Sequence, residues 1–162
     1  MNRNNRRHFL HQLAAGGILL TPLAGALSGC SQSDWPEGMH PIVWDRDQCT
    51  RCSMVISDPR FAAEIRGGTD NTAFKFDDIG CLIFWLQDQA STYPWMIEAD
   101  TRMWVADFNN QHEPFRWITP DRAHFVSKTS PMGYNFGAFS TPQEGSIDFD
   151  NMRKRILSTR GK

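Results

Sequence analysis

The run from residue 61 to residue 86 restricts the fold of this chain more than any other. Phe61-Ala62-Ala63-Glu64-Ile65 reads as a strand. Gly67-Gly68 followed by Thr69-Asp70-Asn71 makes a turn, and residues 72–76 return as a second strand, so the pair forms a hairpin. Asp77-Asp78 then opens a helix, because Asp is favoured at the cap and in the first turn, where its charge complements the helix dipole. Ile79, Leu82, Ile83 and Leu86 fall at i, i+3, i+4 and i+7, an amphipathic stripe that must pack against the hairpin. Beyond Pro94, Trp95-Met96-Ile97 reads as a third strand, which completes a β-β-α-β unit.

The second half repeats the theme. Residues 102–108 alternate as a strand through Met103 and Val105, and residues 115–118 form another. Thr119-Pro120 begins a turn or short helix, residues 124–126 are extended, and residues 136–141 form a further strand. Residues 147–157 show Ile147, Met152, Ile156 and Leu157 together with a basic last turn of Arg153, Lys154 and Arg155, the pattern of a C-terminal helix. Residues 42–44 read as a short lead-in strand. The fold expected is α+β, small antiparallel sheets with packed helices, arranged as two β-β-α-β units.

The N-terminus sets the compartment. Arg6-Arg7 with Phe9-Leu10 has the form of a twin-arginine export signal, and an apolar run over residues 13–27 follows, interrupted by Pro22. The run ends in Leu27-Ser28-Gly29-Cys30, which has the form of a bacterial lipobox whose Cys becomes the lipidated first residue. Residues 1–29 are therefore expected to be a signal peptide, residues 30–41 a lipidated tether, and residues 42–162 the folded domain. Lipid on Cys30 holds a protein at a membrane without spanning it. The expected location is the cell membrane or the outer membrane, facing the periplasm. Removing Arg3, Arg6 and Arg7 leaves fourteen of seventeen basic residues against eighteen acids, a formal charge of about −4. With no basic patch, nucleic acid is not an expected partner.

Three cysteines remain after Cys30, and two of them lie in Cys49-Thr50-Arg51-Cys52-Ser53-Met54. Two thiols and a thioether within six residues suit Cu(I) and suit zinc less well. If residues 52–56 are extended, Cys52 and Met54 share a face, and Cys49 folds back from the preceding turn. The motif has two other uses: an exported thiol-disulfide oxidoreductase working through Cys49 and Cys52, or a structural zinc site from Cys49, Cys52, Cys81 and a histidine in an interaction module. Cys81 itself lies beside the helix stripe, where a thiol packs as a small hydrophobe. His40, His112 and His124 are available as nitrogen donors but sit in no ligand pattern. Met132, in Pro131-Met132-Gly133, offers a second thioether in a tight loop. No nucleophile–base pair, paired carboxylates or phosphate loop stands out, so the chain does not read as an enzyme.

The pieces Cys52-Ser53-Met54-Val55-Ile56, Arg60-Phe61-Ala62-Ala63 and Phe76-Asp77-Asp78-Ile79-Gly80-Cys81-Leu82 resemble the NosL-type accessory lipoproteins of nitrous oxide reductase. Pro131-Met132-Gly133 with Phe136-Gly137-Ala138-Phe139 is similar to that family's C-terminal segment. The resemblance implies a pair of β-β-α-β units and a periplasm-facing lipoprotein that delivers Cu(I) during maturation of the reductase. It implies a membrane ABC-type maturation complex and the reductase as partners, and Cys52 and Met54 as copper ligands. Cys49 departs from the family's single Cys-x-Met element, either as a further ligand or as a disulfide partner of Cys52.

Overall fold

The computed structural model describes residues 35–159. The signal peptide, Cys30 and the beginning of the tether lie outside the described residues.

Strand β1 (Ala63–Gly67) turns through residues 68–71 into β2 (Thr72–Phe76), and helix α1 (Ile79–Asp88) carries the chain back to β3 (Arg102–Ala106). β3 pairs on the free side of β1, and β4 (Trp117–Ile118) pairs with β3, so the four-stranded antiparallel sheet has the order β2-β1-β3-β4. A second hairpin, β5 (His124–Ser127) with β6 (Phe136–Phe139), precedes helix α2 (Phe149–Leu157). The architecture is α+β with small antiparallel sheets. Of the two expected units the first is complete, with β3 as its closing strand. The second is β-β-α, its hairpin joined to flanking segments by isolated bridges between Phe125 and Ile147 and between Ala138 and Asp107.

Strand alternation divides the large sheet into two faces. Ala63, Ile65, Phe76 and Val105 are buried on the face that receives α1, where Phe76 and Phe74 lie 5.5 and 4.5 Å from the Trp85 ring. The other face presents Glu64, Arg66, Lys75 and Arg102, which clamp residues 37–41. The His40 N–H donates to Glu64 Oε1 (2.8 Å), Lys75 Nζ to the Pro41 carbonyl (2.6 Å) and Arg102 to the Glu37 carbonyl (3.2 Å), and Arg66 donates to the Gly38 carbonyl. Met39 in that strap is buried. The part of the expected tether from residue 35 onward thus belongs to the folded domain.

Three expected strands take other forms. Residues 95–97 lie in a 3-10 turn, Pro94–Ile97, rather than a strand. Pro94 starts the turn, where its missing N–H costs nothing, and the Trp95 ring packs so closely on Gly67 that a Cβ there would fall 2.6 Å from it. Residues 42–44 run into a turn in which the Val43 carbonyl accepts from the Arg46 and Asp47 N–H groups, with Asp45 at φ 60°. Residues 52–56 are not an extended strand, because Ser53 adopts φ 62° and breaks the two-residue period.

Candidate metal centre

The motif 49–54 forms the tip of a narrow loop. Gln48 and Val55 make a single antiparallel bridge, the Cys49 N–H donates to the Met54 carbonyl (2.8 Å), and the Ser53 N–H to the Cys49 carbonyl (2.9 Å). With Ser53 in the left-handed region the chain turns around Cys49 instead of extending past it. The loop is fixed to the edge of the sheet at two points. The Thr50 N–H donates to the Lys75 carbonyl (2.8 Å), and Lys75 Nζ pairs with Asp47 (2.6 Å).

The loop closes over the junction between β2 and α1, where Asp77 and Asp78 are the two residues between strand and helix. Asp78 is the N-cap, its Oδ1 accepting from the Gly80 N–H (2.9 Å). Cys81 stands in the first helical turn. Cys49, Cys52, Cys81 and Asp77 bring one donor atom each to within 4.8 Å of one another, and all but the half-buried Cys52 are buried. Cys52 donates its S–H to Asp77 Oδ1 at 3.5 Å.

The four groups set one another's protonation. Cys49 accepts hydrogen bonds from the Cys81 thiol and from the backbone N–H groups of Cys52 and Asp77, which together pull it down to about 4 in spite of its burial. Donating to Cys49 holds the Cys81 proton on, and burial adds to the effect, so Cys81 is pushed far up. Burial, reinforced by the charge on Cys49, raises Cys52 to about 11. Asp77 rises to about 6, chiefly through burial and then through Cys49. Hydrogen bonding and burial in the cluster thus favour the charged form at Cys49 and the protonated form at Cys52 and Cys81. A thiophilic cation entering it would displace the remaining thiol protons.

The structure thus places Cys49 and Cys52 together, as their spacing suggests. It adds Cys81, which is fully buried and packed in the core as expected but also belongs to the cluster, and Asp77, whose role beyond helix capping the sequence reading missed. The available signals were an odd thiol count and a Cys three residues after a helix cap, a position that stabilises thiolates. Met54 is 56% exposed on the outer side of the loop. Met132 is half-buried in a loop tied to the same junction. Its N–H donates to Asp78 Oδ2 (3.3 Å), which also accepts from the Ser130 hydroxyl (2.5 Å). His40 and His112 are exposed and His124 lies in β5. No histidine belongs to the metal-ligand cluster among the described residues.

Fold and site define a small α+β domain with a buried three-thiol, one-carboxylate cluster where a strand passes into a helix. No family model matches the chain. It is 27% identical over 126 residues to the copper-binding lipoprotein NosL of Stutzerimonas stutzeri, a match that covers 75% of this chain. The matched part spans only 60% of that relative's length. The fold is that of the crystal structure of the copper chaperone NosL from Shewanella denitrificans (TM-score 0.50, 19% identity, 74% of this chain and 89% of that one). The chain is thus similar in sequence to one NosL protein and shares the fold of another.

Proposed function

We propose that this chain is a Cu(I)-binding lipoprotein that faces the periplasm and delivers copper for maturation of nitrous oxide reductase. The observation that carries the reading is the convergence of three thiols at one point, in a chain similar to a copper-binding lipoprotein. Cu(I) favours soft donors and accepts low coordination numbers, which Cys49, Cys52 and Cys81 would supply. Met54 and Met132 are the thioethers nearest in sequence or in tethering to the site. An exposed Met54 on the outer side of the loop suits an exchange in which incoming ligands reach the ion before the thiolates release it. Cys30 would hold the domain at the membrane by its lipid, beside an ABC-type maturation complex and the reductase as partners.

The low pKa of Cys49 favours a second reading, a thiol-disulfide oxidoreductase, since the thiolate is the attacking form. Dithiol reductase activity in the metal-free protein would support it.

The copper reading is tested by anaerobic competition with a chromophoric Cu(I) chelator. Cys52→Ser is expected to weaken Cu(I) at least ~100-fold, because an alcohol is a hard, protonated ligand, while Cys30→Ser leaves affinity unchanged. An unaltered affinity in a folded Cys52→Ser protein would overturn it.

A further inference from the structure

Four large aromatic rings gather where the described chain begins. Trp35 lies 5.3 Å from Trp117 and 6.3 Å from Trp44, Trp44 stacks on Trp117 at 6.5 Å, and Phe115 meets Trp44 edge-on at 5.3 Å. All four are only half-buried, whereas Trp85 and Trp104 are buried in the core. Trp35, Phe115 and Trp117 line a shallow cleft of about 50 Å³ together with the exposed Glu113 and Pro114. We propose that this aromatic face docks on the headgroup layer of the membrane in which the lipid of Cys30 is set. The docking depends on the lipid anchor of the reading above and adds a surface that the anchor alone does not need.

The length of chain between lipid and domain selects the membrane as the occupant. Because residues from 35 onward belong to the domain, only residues 31–34 separate Cys30 from Trp35 in the sequence. Five residue steps reach at most about 18 Å. A lipidated Cys30 lies at the headgroups, so Trp35 cannot stand far from them, and so short a link keeps its effective concentration at the surface high. A weak surface affinity is then enough. Tryptophan suits the setting, because its apolar body and polar N–H match a layer that is apolar on one side and wet on the other. The exposed charges within two residues of the four rings are three acids, Glu37, Asp45 and Glu113, against two bases, Arg46 and Arg116. Such a rim gives no net attraction to anionic lipid, so burial of the rings drives the docking. It should proceed on zwitterionic lipid and survive salt. Docking also orients the metal loop. The Asp45 N–H, next to Trp44, donates to the Ile56 carbonyl (3.0 Å), and the Ile56 N–H to the Asp47 carbonyl (2.9 Å), which ties the loop 49–54 to the aromatic face. The thiols are then presented to a partner in a set orientation to the bilayer.

The test uses the full mature chain, extracted from bacterial membranes and reconstituted in phosphatidylcholine vesicles. Mass spectrometry first reads the lipid on Cys30. Tryptophan emission is then compared in vesicles with and without bromine on the acyl chains near the headgroups, which quenches indoles at the bilayer surface. The expected result is a blue-shifted emission with quenching that persists at high salt. Trp35→Phe and Trp117→Phe should each lose about a third of that quenching, since each removes one of the three indoles of the face and keeps a ring. Quenching should also persist when about ten Gly and Ser residues are inserted after Asp34. Its loss on insertion would mean that the short link alone brings the rings near, and would overturn the proposal. Quenching unchanged in both folded Trp→Phe variants overturns it too, because other indoles would then face the lipid. If those variants do not fold, the native and lengthened chains decide. A lipidated native chain without quenching overturns the docking and leaves the anchor standing, as does one whose unquenched rings cross-link copy to copy. A chain without lipid on Cys30 overturns the anchor and the docking together.

Discussion

The two hairpin–helix units differ most at the joint between strand and helix. In the first, Asp77 and Asp78 alone separate β2 from α1. In the second, the nine residues 140–148 separate β6 from α2. Each helix has an aspartate N-cap, Asp78 accepting from Gly80 and Asp148 from Asn151. A two-residue joint between packed elements cannot reach solvent, so its polar groups go into the core and must find partners there. Asp78 is fully buried and serves three donors, from Gly80, Ser130 and Met132. The long joint leaves Asp148 exposed, with Asn151 as its partner through both backbone and side chain. Helix character follows the joint: seven of the ten residues of α1 are buried, while α2 buries Met152 and Ile156. Where the joint is short, donors are placed and dried together, as a metal site requires. Where it is long, the same cap only ends a helix.

The largest effect should separate the two caps. Asp148→Ala loses an exposed N-cap, a cost of about 1 kcal/mol. Asp78→Ala removes the cap and strands the Ser130 hydroxyl and Met132 N–H in the interior, at about 4 kcal/mol in total. Urea denaturation of both variants measures this, and similar costs would mean that the joint length does not matter.

The next contrast lies in the first strands. The second residue of β5 is Phe125, fully buried and apolar, whereas the second residue of β1 is Glu64, equally buried. Burial raises Glu64 to about 7, although the His40 N–H and the nearby Lys75 and Arg66 favour its charged form. One carboxylate oxygen, Oε2, has no hydrogen-bond partner. In the unfolded chain Glu64 ionises near 4.5. Between these values the folded state binds more protons, so stability falls as pH rises from about 4.5 to about 7 and then levels off. The loss is at most about 3 kcal/mol for a shift of this size. Glu64→Gln keeps an acceptor for His40 and has no charge to bury. Its stability should match the native chain near pH 4.5 and exceed it increasingly up to about pH 7. Parallel stability profiles across that range would show that Glu64 is not buried in its neutral form.

The sequence showed the first unit better than the second because periodicity is strong there. The 3.6-residue stripe of α1 and its Asp cap are local signals, and the hairpin before it has a Gly-Gly turn. Trp95 looked like a strand residue because it is aromatic between apolar neighbours. Its packing on Gly67, which residue order does not reveal, made it part of a turn. Cys52 to Ile56 looked extended because a serine at φ 62° leaves no compositional mark. Cys81 could be seen as a core residue of the stripe. That its sulfur also meets Cys49 depends on the loop 49–54 folding over the joint, a contact between segments well apart in the chain. Asp77 was hidden for the same reason, since one cap suffices to explain Asp77-Asp78.

The smallest contrast concerns two glycines, one for each unit. Gly145, in the long joint, has φ 70°, and no atom lies within 4 Å of the point where a Cβ would stand. Gly145→Ala therefore meets only backbone strain, about 1 kcal/mol. Gly80, in the first turn of α1, has its side-chain position already filled by Tyr134, whose nearest ring atom lies 2.0 Å from where a Cβ would stand. Gly80→Ala must push that ring away, at about 2 kcal/mol for an overfilled interior. The ring does not move alone. Tyr134 accepts from Arg51 of the loop 49–54 at 3.0 Å, and Met132 lies two residues earlier in the same segment. Displacing Tyr134 therefore loosens both the sulfur loop and the Met132 segment, so Gly80→Ala should weaken Cu(I) binding several-fold, whereas Gly145→Ala should leave it unchanged. Chelator competition at matched folded fraction, checked by near-UV circular dichroism, measures the difference. Equal copper affinities in the two folded variants would show that the Tyr134 segment covers the joint without supporting the metal site.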